Sequence, residues 1–99
     1  MDQIKVIVKK PGEKWGHVAY IENTLEAFQR IVEGNIEVVN VDDLRLICNE
    51  EGKLRGMREN LFVYGETNVG PVVICGEDGE EFADCPISLE EWKEMIRIK

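Results

Sequence analysis

The sequence predicts an α+β domain, a mostly antiparallel sheet with two helices packed on one face. Two observations carry this. Apolar stretches of period two, such as "IKVIVKK" and "HVAYIE", are punctuated by turn signals at Pro11-Gly12, Asp42-Asp43 and Asp78-Gly79, the pattern of strands joined by short connections. Two other stretches switch to a period of 3.6, and each opens on a capping-box pattern, Asn23-Thr24-Leu25-Glu26 and Ser88-Leu89-Glu90-Glu91. Strands in antiparallel groups with two separate helices give the α+β class.

In chain order, a strand is expected from Gln3 to Lys9, stopped by Pro11-Gly12. "HVAYIE" returns antiparallel to it, and the loop between them holds Trp15, expected as a lid on the edge of the core. A helix follows from Thr24 to about Glu33, capped by Asn23, with Leu25, Phe28, Ile31 and Val32 on its buried stripe and Gly34 as its left-handed C-terminal cap. "IEVVNV" and "LRLICNE" are the next two strands, and the meander is expected to continue through Glu51-Gly52 into "KLRG". Residues 57–69 have no clean period beyond a short strand at "LFVYG". "VVICG" is a buried strand, and Asp78-Gly79 signals a type I′ hairpin into Glu80–Phe82. The last helix begins at Ser88 and buries Leu89, Trp92, Met95 and Ile96.

A chain of 99 residues is one domain, residues 1–99, with room for a single core. Its 43% hydrophobic and 32% charged content is globular. No apolar run approaches the ~18 residues that span a bilayer, and "MDQIKVIVKK" is not a secretory leader, so a cytoplasmic protein is expected. Three cysteines with no close pair suit a reducing compartment and no disulfide framework. The net charge of −8 is uneven: residues 1–58 carry nine Lys/Arg against ten Asp/Glu, and residues 59–99 three against ten. An acidic surface repels nucleic-acid backbones, which disfavours direct DNA or RNA binding.

Two segments share the pattern Ile-Cys-x-Glu-x-Gly, at Ile47–Gly52 and Ile74–Gly79. Structural zinc calls for paired thiolates or imidazoles at short spacing, whereas Cys48, Cys75 and Cys85 are isolated and His17 is the one histidine, so no metal site is assigned. A calcium loop fails because Ile47 or Ile74 falls where an oxygen ligand belongs. One Ser and one His make no nucleophile–base constellation, and no catalytic residue or cofactor is assigned. The acidic run Glu77, Asp78, Glu80, Glu81 and Asp84 reads as a solvated turn. The most basic loop is "KLRGMREN". There Lys53, Arg55, Gly56, Arg58 and Asn60 are the candidate ligand-binding residues, with Lys53 and Arg55 sharing a strand face to clamp one anion.

The runs "IKVIVKKPGE", "IENTLEAFQRIVEGNIEVV", "LICNEEGKLRG" and "GPVVICGEDGEEF" resemble a group of small domains of phages, plasmids and Firmicutes described as a domain of unknown function. The likeness covers Ile4 to about Phe82 and continues loosely through "SLEEW". Where that group has a Leu-Pro-Pro-Asn turn, this chain has Met57-Arg58-Glu59-Asn60, keeping the Asn and losing both prolines. The resemblance implies an accessory protein of a mobile element with a binding or inhibitory role. A non-enzymatic protein that sequesters a host protein or an anionic signalling nucleotide, in counter-defence, is therefore expected. The alternative is an acidic interaction module, or nucleic-acid mimic, whose residues 77–94 engage a basic partner. A homodimer through an edge strand, residues 3–9 or 61–64, is compatible with either.

Overall fold

A computed structural model of the chain describes residues 2–63 and 66–98. β1 (Gln3–Lys9) and β2 (His17–Glu22) pair antiparallel in unbroken register from Gln3 opposite Glu22 to Val8 opposite His17. β7 (Val72–Asp78) lies on the other side of β1, followed by β4 (Leu44–Asn49) and β3 (Ile36–Val41), giving the order β2-β1-β7-β4-β3 with every pair antiparallel. β8 (Glu81–Ala83) folds back on the far end of β7. β5 (Glu59–Val63) and β6 (Glu66–Val69) form a separate hairpin, of which β6 has no counterpart in the sequence reading. The part of "LFVYG" at Tyr64 and Gly65 lies outside the described residues.

The class is the one expected, α+β with a mostly antiparallel sheet, but the helices do not share a face. Along β7, Val72 and Ile74 pack with Ile7, Leu46, Leu61 and with Trp92 and Ile96 of α2 (Leu89–Ile98). Val73 and Cys75 pack with Val6, Ile47 and with Phe28 and Val32 of α1 (Leu25–Val32). One helix therefore covers each face. The near-continuous apolar runs "VIV", "LIC" and "VVIC" in β1, β4 and β7 are what strands buried on both faces require.

Local corrections follow from hydrogen bonding. Thr24, not Asn23, is the N-cap of α1, its hydroxyl accepting from the Ala27 amide, while the Asn23 amide donates to the Phe82 carbonyl. Leu25, expected on the buried stripe, is 53% exposed, and Ala27 takes an inward place instead. The left-handed residue at the C-cap is Glu33, at φ 68°, not Gly34. In α2 the capping box forms as expected, Ser88 N–H donating to Glu91 Oε1 and Glu91 N–H to Ser88 Oγ. The hairpin between β7 and β8 turns at Gly79-Glu80, flanked by the pair Asp78–Glu81, and Gly79 alone is left-handed there, as in type II′ and not type I′.

The "KLRG" segment is not a strand. Residues 50–56 wind through successive turns, with Arg55 N–H donating to Glu51 O at 2.8 Å and Met57 N–H to Gly52 O at 2.9 Å. Gly52 is buried where a Cβ would lie 2.8 Å from Val69 Cγ2, so the chain packs there at backbone contact. The strand at residues 3–9, expected as a possible edge, is interior; β2 and β3 are the edges of the large sheet.

Candidate functional site

Because β2 returns along β1, α1 must then run parallel to β1. Its last turn consequently meets the end of the sheet where β1 finishes, β2 begins and β7 begins. The β4–β5 and β6–β7 connections reach the same end, where β4 finishes opposite the start of β3. The connections from four parts of the chain converge on one rim.

At that rim a groove of about 660 Å³ opens beside α1. Val8, Ala19, Ile21, Ile31, Met57 and Pro71 form its apolar lining. Its polar and charged lining is Lys10 and His17 from the two ends of the β1–β2 connection, Arg30 and Glu33 from the end of α1, and Arg58 from the approach to β5. The Arg58 guanidinium lies against Gly12, where an added Cβ would stand 3.4 Å from Nη1. Glu13 organises this connection: its carboxylate accepts from the Lys10 amide at 2.7 Å and pairs with His17 Nδ1 at 2.9 Å. Burial alone pushes the Glu13 carboxyl up, but the Lys10 amide, the His17 hydrogen bond and both nearby charges outweigh it and hold it below the usual carboxylate value.

Of the residues picked from sequence, Arg58 alone lines this groove. Arg55 is committed elsewhere: its Nη1 donates to the Glu33 carbonyl at 2.8 Å, satisfying one of the carbonyls left open at the end of α1. Buried Asn49 caps the neighbouring carbonyl, its Nδ2 donating to Val32 O at 3.0 Å and its Oδ1 accepting from Glu51 N–H. Lys53 lines a smaller recess of about 280 Å³, with Glu37, Cys48, Glu50 and Asn68. With residues 50–56 in turns, Lys53 at that recess and Arg55 held at the Glu33 carbonyl, the shared strand face that would have set the two side by side is absent. Gly56 is exposed, at φ 70°.

Asn60 ties β5 to β1. Lys9 Nζ, buried, donates to the Asn60 carbonyl at 3.0 Å and to its Oδ1 at 2.6 Å, and Asn60 Nδ2 donates back to the carbonyls of Lys9 and Gly70. Desolvation lowers the Lys9 pKa, with the Glu13 charge opposing. Lys10 and Arg30 were not singled out from sequence, and His17 was weighed there only as a metal ligand and as a catalytic base. The usable signal was topological: a helix after a returning strand ends at the rim where β1 and β2 join.

Burial pushes the Cys48 thiol up to about 11 and the Cys75 thiol up to about 12, and raises Cys85 as well. Thiols held protonated are poor nucleophiles and poor ligands. Cys48 Sγ instead donates weakly to the Glu37 carbonyl.

No curated protein and no solved structure matches the chain. The model of a family described as "Domain of unknown function (DUF3846)" matches residues 4–97. With every groove residue inside that match and only Gln3 of β1 and Ile98 of α2 outside it among the residues of the strands and helices, the chain belongs to the DUF3846 family.

Proposed function

We propose that this domain is a non-enzymatic binding protein of a phage or mobile element. It acts in the host cytoplasm by sequestering a small anionic ligand with an apolar or planar part, the chemistry of a signalling nucleotide. One observation carries the reading: on a chain of net charge −8, three cations, Lys10, Arg30 and Arg58, gather with His17 and a single acid, Glu33, around one apolar-floored groove. Charge-assisted hydrogen bonds from Arg and Lys suit phosphate oxygens, and the floor of Val8, Ala19, Ile21 and Ile31 suits a base. The groove has the volume of a ligand site, within the usual range of about 300–1,000 Å³.

Calorimetry against a panel of mononucleotides and cyclic nucleotides tests it. Binding to one class is expected, weakened at least about tenfold in an Arg30→Ala, Arg58→Ala double variant, since each charged hydrogen bond contributes about 1.5–3 kcal/mol. Heat unchanged by that substitution, or no heat with any nucleotide, contradicts it. The second reading, capture of a basic partner by an acidic surface, is favoured by Glu77, Asp78, Glu80 and Glu81 standing exposed on the β7–β8 hairpin. A pull-down from host lysate at rising salt decides that one: an electrostatic partner elutes as screening increases.

A further inference from the structure

We infer that two copies of the chain associate through β2, antiparallel about a two-fold axis perpendicular to the sheet, so that one sheet continues into the other. This stands apart from the ligand reading and does not depend on it. β2 is an edge strand. Edge strands that face solvent in a lone molecule are usually blunted by Lys, Pro or a bulge. "HVAYIE" has no Lys and no Pro, and its register against β1 is unbroken. On the face covered elsewhere by α2 it leaves Val18 36% and Tyr20 64% exposed.

Charge selects a second copy as the occupant. Lys10 and Lys14 stand in the connection that leads into β2, where its one acid, Glu13, is paired with His17, while Glu22 closes β2, beside Asp2 next to the start of β1 and Glu26 in the first turn of α1. Antiparallel pairing sets the beginning of one β2 beside the end of the other, so each cationic end lies next to the partner's acidic end. The same pairing at β3, the other edge, turns Glu37 of each copy toward Asp42 and Asp43 of the other, acid on acid. The net charge of −8 on each copy opposes association at long range. At physiological ionic strength that repulsion is screened beyond about 8 Å, and the charges beside the seam decide.

In the register that sets Tyr20 against its own copy, Ala19 of one chain faces Ile21 of the other on the α1 side. Both α1 helices then stand on the same face, and each groove, floored by these residues, runs on into its partner.

Sedimentation and light scattering test this on the intact chain. The mass of two chains is expected, falling to one on dilution. Tyr20→Glu sets two carboxylates opposite each other at the axis, while Lys5 opposite it on β1 keeps the change tolerable within one chain. It should raise the dissociation constant at least about tenfold, and Val38→Glu on β3 should leave it unchanged. A single-chain mass at every concentration, a dimer indifferent to Tyr20→Glu, or one dissolved by Val38→Glu overturns the inference. Should Tyr20→Glu fail to fold by circular dichroism, Glu22→Lys carries the test: weaker association supports the seam and unchanged association refutes it.

Discussion

Glu33 and Gly34 divide a task usually given to one glycine. Glu33 adopts the left-handed conformation at φ 68°, while Gly34 leaves room: a Cβ there would lie 2.6 Å from Asn49 Nδ2 and 3.2 Å from Arg55 Nη1. The two side chains that cap α1 reach its last carbonyls only because Gly34 is bare. Gly34→Ala should therefore cost about 1–3 kcal/mol, because displacing Asn49 leaves buried polar groups unpaired. Glu33→Gly should instead stabilise by up to about 1 kcal/mol, since a β-carbon is unfavourable in that conformation. Urea unfolding midpoints of the two variants check the opposite signs. From sequence, Gly34 was recognisable as a helix end but its role was not, because a close approach across the fold leaves no local signature.

The strands were legible where the fold is most repetitive. β1, β4 and β7 carry the apolar runs that burial on both faces enforces, the edge strands β2 and β3 show β-branched and apolar stretches bounded by turn signals, and α2 shows its capping box in the order the hydrogen bonds use. The segment from Glu50 to Gly70 was not legible in the same way, since its turns and the β5–β6 hairpin are set by contacts to α1, β1 and Gly52 rather than by period. Reading "KLRG" as a strand put Lys53 and Arg55 on one face and hid the groove that Arg58 shares with Lys10 and Arg30. The pin holding this hairpin gives a pH signature. With the Lys9 pKa lowered in the fold, the unfolded chain binds more protons between the lowered value and 10.5, so this residue adds stability as pH rises through that window. Measured with pH rising toward 10.5, the unfolding free energy of the wild type relative to Lys9→Met should rise. A flat difference would mean that burial does not perturb the Lys9 amine.

Across the whole molecule, charge is sorted along the strand direction. Lys10, Lys14, Arg30, Lys53, Arg55 and Arg58 belong to the rim where β1 and α1 end and outnumber Glu13, Glu33, Glu50 and Glu51 there, whereas Asp42, Asp43, Asp78, Glu80 and Glu81 gather about the turns at the opposite end, beside Arg45. Counting charge along the chain revealed an acidic C-terminal part but could not reveal this polarity, because antiparallel strands carry neighbouring residues to opposite ends. No helix among the described residues is long and apolar enough to cross a membrane. On the proposed reading, this polarity gives an acidic molecule a local field that draws anions to the groove. Backbone amide chemical shifts during a nucleotide titration test that claim most directly. Shifts that saturate together at Lys10, His17, Ala19, Arg30 and Arg58 are the predicted result; saturating shifts confined to the Lys53 recess or to the β7–β8 hairpin, or no saturating shifts at all, would contradict it.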